Sequence, residues 1–143
     1  MKYQSNSPEE TKRFAEAFAK RLSPGSVVTL DGDLGAGKTA FVQGMAKGLG
    51  ITDYISSPTF TIINCYEGRL PLYHFDVYRI CDCDEMYEIG YEEYINSEGV
   101  CVIEWSELIR EILPPERYAV RILKNLEKGE DYREIIIEEK KSE

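Results

Sequence analysis

Long apolar runs are missing from this chain. Nothing in it approaches the ~18–20 consecutive apolar residues that a membrane-crossing helix needs. The opening residues, Met1-Lys2-Tyr3-Gln4-Ser5-Asn6, hold no apolar core of a secretory signal. A cytoplasmic protein without membrane contact is expected. Basic residues are also scarce: 17 Lys and Arg stand against 26 Asp and Glu, for a net charge of −9. That balance opposes direct binding of a nucleic-acid backbone, which rests on clustered cations. Any nucleic acid involved would be held by a partner and met only indirectly. Cys65, Cys81, Cys83 and Cys101 make no paired C-x-x-C or His-containing zinc pattern, and Cys81-x-Cys83 is too short for a zinc knuckle. Ordinary reduced thiols are expected.

With 143 residues and no repeat or low-complexity linker, the chain reads as a single domain over 1–143. Ser7-Pro8-Glu9-Glu10 is a helix start, with Ser7 as cap, Pro8 in the first turn and Glu10 completing a capping box. Phe14, Phe18 and Leu22 recur every fourth residue, so a helix is expected over about 8–22. Ser26–Leu30 is a short β-branched run. Phe41, Met45 and Leu49 then form a helical stripe that ends at Gly50. Stretches 60–66 and 70–77 flank Glu67-Gly68-Arg69 as a hairpin. Residues 82–98 carry seven acids and no base, which suggests short helices with a solvated acidic face. Val100–Ile103 is a continuous apolar run, expected as a buried parallel strand. Stretches 118–123 and 133–137 read as a second hairpin at the C-terminal edge. The sum is an α/β chain with a mixed sheet.

Between the first strand and its helix lies Gly32-Asp33-Leu34-Gly35-Ala36-Gly37-Lys38-Thr39, a G-x-x-x-x-G-K-T loop. Its glycines let successive N–H groups point into one concavity, and the helix N-terminus adds its positive dipole end. Lys38 is placed to reach β- and γ-phosphates, and the Thr39 hydroxyl to bind Mg²⁺. The strand-loop-helix context is the one this motif requires. A magnesium ion needs a further acid at the carboxyl end of a neighbouring strand. Glu104, which ends the run 100–103, and Asp76, which ends His74-Phe75-Asp76, both qualify. Ser56-Ser57-Pro58-Thr59 follows the loop helix at a distance where it can return to the nucleotide. Thr59 there offers a hydroxyl, although a plain Ser-Pro turn is equally compatible with those residues. The sole histidine, His74, reads as a strand or core residue rather than a base. Trp105 is compatible with core packing or with a place beside a base.

Taken in order and spacing, Gly32–Thr39, Ser57-Pro58-Thr59-Phe60, His74-Phe75-Asp76-Val77-Tyr78-Arg79 and Glu104-Trp105-Ser106-Glu107 resemble the bacterial TsaE ATPases. The resemblance covers nearly the whole chain. It implies a P-loop NTPase-type mixed sheet flanked by helices, with slow ATP hydrolysis. It also implies a required role in making threonylcarbamoyladenosine at position 37 of tRNA, beside the threonylcarbamoyl transferase and its paralogous partner (TsaD and TsaB type). Carried over residue by residue, it implies that Thr39 and Glu104 hold Mg²⁺ and that Asp33, Leu34, Gly35, Ala36, Gly37 and Lys38 wrap the phosphates of ATP. Thr59 and Asp76 would act near the γ-phosphate, with Lys38 and Glu104 completing the catalytic set, and Trp105 would lie close to the nucleotide. Thr11 and Arg133 match further nucleotide-contact positions. Val77 stands where Leu is common and keeps the apolar character.

Other classes fit less well. A small-molecule kinase needs several arginines to clamp its acceptor, and between Ala40 and Ile109 the only bases are Lys47, Arg69 and Arg79. A GTPase would carry an N-K-x-D tetrapeptide, which is absent. A nucleotide-dependent binding module with incidental hydrolysis stays open, because no arginine finger or unique base is evident. Candidate docking surfaces are the acidic, tyrosine-rich stretch 82–98 and the loop 57–60.

Overall fold

Ser7 starts the first helix. Its hydroxyl accepts the Glu10 N–H at 3.1 Å, Pro8 follows, and helix α1 runs Pro8–Lys20, slightly shorter than expected. The Glu10 carboxylate accepts the Asn6 N–H at 2.5 Å, one residue before the usual capping-box partner. The structure, a computed structural model, describes residues 1–33, 35–58 and 62–141. Within them lie strands β1 (Lys2–Ser5), β2 (Val27–Asp31), β3 (Ile63–Tyr66), β4 (Leu72–Asp76), β5 (Val100–Glu104), β6 (Arg117–Lys124) and β7 (Arg133–Lys140). Helices α2 (Lys38–Gly48), α3 (Cys83–Glu88) and α4 (Tyr91–Ile95) join α1, and a 3₁₀ segment spans Ser106–Ile112. No helix among the described residues is long and apolar enough to cross a membrane.

All these strands form one sheet in the order β1-β7-β6-β2-β5-β4-β3. The inner strands β6, β2, β5 and β4 are parallel, while β7, β1 and β3 are antiparallel to their neighbours. The run 100–103 is therefore a strand with parallel neighbours on both sides, and every residue of β5 is buried. The hairpins at Gly68 and Gly129 form with somewhat different bounds; Phe60, Thr61 and the site residues Leu34 and Thr59 lie outside the described residues.

One expectation needs correction. The β6–β7 hairpin is not the sheet edge, because β1 pairs outside β7 with Tyr3 opposite Ile135. Lys-Tyr-Gln-Ser is too short and polar to carry a strand pattern. It is held by its pairing and by Tyr3, whose ring stacks on Phe14 of α1 at 4.3 Å.

Alternation along the strands divides the core in two. Val28, Leu30, Val100, Val102 and Leu72 face α1 and α2. Val27, Cys101, Ile103 and Phe75 face Met86, Tyr91 and Ile109 on the opposite side. Phe41 and Met45 of α2 are fully buried, each contributing about 2–3 kcal/mol. Helices α1 and α2 pack closely because Gly44 and Gly48 present no side chain. A Cβ at Gly44 would lie 2.8 Å from the Ala15 Cβ, and one at Gly48 would lie 2.9 Å from that of Ala19. This packing fixes the direction of α2, whose N-terminus carries Lys38 and Thr39.

Candidate functional site

Because β2, β5 and β4 run parallel in register, their carboxyl ends bring Asp31, Glu104 and Asp76 to one edge of the sheet. Leu30 lies opposite Glu104, and Glu104 opposite Asp76. The two-residue period then separates the acids. Glu104 shares the face of Val100 and Val102, and Asp76 that of Leu72, so both look toward α2. Asp31 shares the face of Val27 and looks the other way. This carboxyl edge is where open α/β sheets gather ligands.

The loop from β2 to α2 takes its shape from glycine where the backbone demands it. Gly35 and Gly37 have φ of +76° and +99°, a region that side-chained residues rarely occupy. Gly37 is also the N-cap of α2, no side chain caps the helix, and its first turn contains no acid. Such an end offers unpaired N–H groups and a positive dipole to an anion. Arg133, at the start of β7, braces the loop. Its Nε donates to the Ala36 carbonyl at 2.8 Å and its Nη2 to that of Gly35 at 3.1 Å, while Nη1 donates to the carbonyls of Glu130 and Tyr132, each at 2.7 Å.

Lys38 is the unusual cation of this molecule. Its ammonium is buried and makes no hydrogen bond among the described residues. It lies 3.8 Å from Glu104 Oε1, beyond hydrogen-bond range, and 4.1 Å from the centre of the Trp105 ring. The other carboxylate oxygen, Oε2, is 2.5 Å from His74 Nε2. His74 is thus the buried strand histidine that its sequence context suggested, with one nitrogen on the acid of the site. Trp105 adopts a left-handed backbone, φ +61°, uncommon for a bulky residue. Its ring packs on Tyr78 at 4.8 Å between centres. It therefore stands beside the loop lysine at the margin of the second core cluster.

The turn at Trp105 is held from the opposite face. Asp31 accepts the Ser106 N–H at 2.9 Å and the Ser106 hydroxyl at 2.7 Å. Burial pushes the Asp31 carboxyl above its usual range, with the two bonds from Ser106 opposing that shift. Burial likewise raises Asp76; the Tyr78 N–H, which Asp76 accepts at 3.0 Å, opposes the shift, and Glu104 adds to it. Thr39 Oγ1 lies 3.3 Å from Ser57 Oγ, so the segment after α2 does return to the loop.

Gly35, Gly37, Lys38, Thr39, Ser57, Asp76, Glu104 and Trp105 line one cleft of about 440 Å³. The remaining expected residues fall around it. Asp33 lines an adjacent cleft of about 380 Å³, on the Asp31 side, with Trp105 between the two. Ala36 is buried under the loop. Thr11 is buried in α1, its hydroxyl 2.7 Å from that of Ser5, and Ser5 pairs with Arg133 across β1 and β7. Thr11 and Arg133 thus form a buttress next to the loop and do not line the 440 Å³ cleft.

A family model described as threonylcarbamoyl adenosine biosynthesis protein TsaE matches residues 5–135. The chain belongs to the TsaE family. The tRNA threonylcarbamoyladenosine biosynthesis protein TsaE of Bacillus subtilis (strain 168) is 52% identical over 136 residues, covering 94% of this chain and 83% of that protein. The protein of the same name from Treponema pallidum (strain Nichols) is 48% identical over 122 residues, or 85% and 89% of the two chains. Among solved structures, the crystal structure of Bacillus subtilis YdiB superposes with a TM-score of 0.84 at 46% identity, covering 99% of this chain and 86% of that one. The expected fold class, a single-domain mixed α/β sheet flanked by helices, is the one observed.

In this TsaE-family chain, sequence reasoning gave no role to Asp31, and none to Ser106 and Tyr78 beyond their places in the two downstream motifs. Asp31 had one available signal, its place directly before the glycine loop. The bond from Ser106 to Asp31 spans 75 positions, and no local pattern carries it.

Proposed function

We propose that this chain is a magnesium-dependent ATPase of threonylcarbamoyladenosine biosynthesis in tRNA. It acts with the threonylcarbamoyl transferase subunit and its paralogous partner, of TsaD and TsaB type, and meets tRNA only through them. Membership of the TsaE family supports the pathway. The nucleotide reading rests on the chemistry of the cleft.

The observation that carries it is Lys38. A buried ammonium without a hydrogen bond is costly, and this one stands at the uncapped N-terminus of an 11-residue helix, beside two glycines with positive φ. Donor groups of that kind fit a polyphosphate. Lys38 would exchange its distant contact with Glu104 for phosphate oxygens, and the α2 N–H groups would take the oxygens beside it. Thr39 Oγ1 and Glu104 Oε1 are the oxygens suited to a hard cation, and both line the cleft. Held by Thr39 and Glu104, magnesium would supply charge neutralisation to the phosphates. Asp76, with its raised carboxyl, is the side chain suited to orient water by the γ-phosphate, and Thr59 is proposed to act with it. Trp105 would report occupancy, since its ring already lies against Lys38.

Reconstituted tRNA modification, with and without this chain, tests the reading. ATP should support modification and a non-hydrolysable analogue should not, with slow hydrolysis by the chain alone and faster turnover with the transferase. Full modification without this chain would overturn the assignment. A second reading, a nucleotide-dependent binding module, is favoured by Arg133, whose donors are engaged with main-chain carbonyls rather than directed at the cleft. Equal modification by a Glu104→Ala variant that no longer hydrolyses ATP would select it.

A further inference from the structure

His74 is only 1% exposed. Its Nε2 meets Glu104 Oε2 at 2.5 Å, and its Nδ1 has no hydrogen-bond partner among the described residues. A buried nitrogen left unpaired costs stability, so a position needed only for packing between Asn64 of β3 and Val102 of β5 would be better filled by an apolar ring. Among the described residues the polar contact of the imidazole is to the acid of the cleft. A carboxylate can only accept, so the proton resides on Nε2 and the bond fixes the rotation of the Glu104 carboxylate about its last torsion. With Oε2 held, Oε1 is the oxygen turned toward Lys38.

We propose that His74 is a positioning residue for metal binding, which locks Glu104 through Nε2 so that Oε1 alone is presented to the cation that accompanies the nucleotide. The inference rests on the ATP and magnesium reading above and names a residue on which that reading depends. Lys38 and the cation then compete for the same oxygen. Phosphate that draws Lys38 away makes Oε1 available, and a cation at Oε1 makes it easier for Lys38 to remain on phosphate. Nucleotide and metal are coupled through one carboxylate whose orientation His74 sets. Partners of this kind typically govern metal affinity by about 10–100-fold.

The chain has one tryptophan and one histidine, so both can be observed without mutation. Magnesium is titrated into protein saturated with ATP, with Trp105 fluorescence as readout, for wild type, His74→Phe, His74→Asn and His74→Gln. Gln can place a donor near the Nε2 position, whereas Asn reaches only that of Nδ1. His74→Phe and His74→Asn should raise the half-saturating magnesium concentration about tenfold or more, with metal-free ATP affinity within about twofold of wild type and His74→Gln recovering most of the loss. In ¹⁵N-imidazole spectra of ligand-free protein, the single histidine should be protonated at Nε2, with a slowly exchanging proton that Glu104→Ala releases. Unchanged magnesium dependence in His74→Phe overturns the proposal, as does an Nδ1-protonated ring, or equal losses in Asn and Gln that follow their melting temperatures. If wild-type fluorescence responds to neither ATP nor magnesium, the nucleotide reading itself fails, and the proposal fails with it.

Discussion

Replacing Asp31 tests how the carboxyl edge of the sheet is organised. Asp31 lines no part of the Lys38 cleft, yet it holds the turn that places Glu104 and Trp105. Asp31→Ala removes the acceptor of two hydrogen bonds and leaves the N–H and hydroxyl of Ser106, 3% exposed, without it. Hydrogen bonds to a charged acceptor contribute about 1.5–3 kcal/mol each. The carboxylate is itself partly buried at a cost, and its remaining exposure to water weakens both bonds, so a net loss of about 2 kcal/mol is expected. For a chain of this size that is a fall in melting temperature of roughly 4–8 °C. The strained backbone of Trp105 loses its anchor as well, so its emission should shift before any unfolding.

The pH dependence supplies an independent sign. Burial raises the Asp31 carboxyl in the folded chain, so the native state holds this proton more tightly than the unfolded state does. The associated stability is fully present below the ordinary aspartate value of 3.8 and is lost as pH rises through the folded pKa. Asp31→Asn removes this contribution and keeps one acceptor for Ser106. Its stability relative to wild type should therefore improve as pH rises above 3.8, measured by urea unfolding in acetate and phosphate buffers. A wild-type-like melting temperature for Asp31→Ala, with unshifted Trp105 emission, would refute the anchoring role. An improvement of Asp31→Asn toward lower pH would refute the burial argument.

Gly44→Ala places a methyl group 2.8 Å from the Ala15 Cβ; overpacking of about 1–3 kcal/mol should exceed the ~1 kcal/mol gain in helix propensity, and a melting temperature above wild type would contradict the close helix pair. Lys38→Ala should abolish ATP-dependent change in Trp105 fluorescence, read by titration, while the protein still melts cooperatively. Arg133→Ala frees the Gly35 and Ala36 carbonyls and should weaken ATP binding about tenfold, or ~1.4 kcal/mol, by calorimetry. Burial pushes the Cys101 thiol up to about 12, so at pH 8 an alkylating reagent should label exposed Cys65 and Cys81 in the native protein and reach Cys101 only after unfolding.

What the sequence disclosed here followed from period and from local chemistry. The G-x-x-x-x-G-K-T loop, the Ser7 cap, the buried run of β5 and the paired hairpins are all features of a few consecutive residues; the cap and the β5 run lie where those residues place them, and the hairpins form with shifted bounds, the second inside the sheet edge. β1 was illegible because four mostly polar residues owe their strand state to β7 and to the ring of Phe14. The roles of Gly44 and Gly48 were equally hidden. Inside a helix they read as weak points, and only the backbone of α1 against them explains why no side chain fits. At the site, candidate acids were recognisable as strand ends, but not which of them share a face.

That division by face is the step from fold to proposed mechanism. A strand end with an acid on the α2 side, Glu104, meets Lys38 and His74. The strand end beside it carries its acid on the other side, and Asp31 instead ties down Ser106. Had β2 and β5 paired one residue out of register, every side chain of β5 would turn to the opposite face, and Glu104 would point away from the loop lysine. The register of Leu30 with Glu104 therefore sets the lysine–carboxylate distance, and the Asp31 anchor keeps the chain from fraying there. On the ATPase reading, a polyphosphate has to displace one carboxylate oxygen at 3.8 Å and the face of the Trp105 ring at 4.1 Å from a lysine that has no hydrogen bond among the described residues. On the same reading, releasing that oxygen would leave it free for the cation, so that binding of nucleotide and of cation would be coupled on a preformed edge.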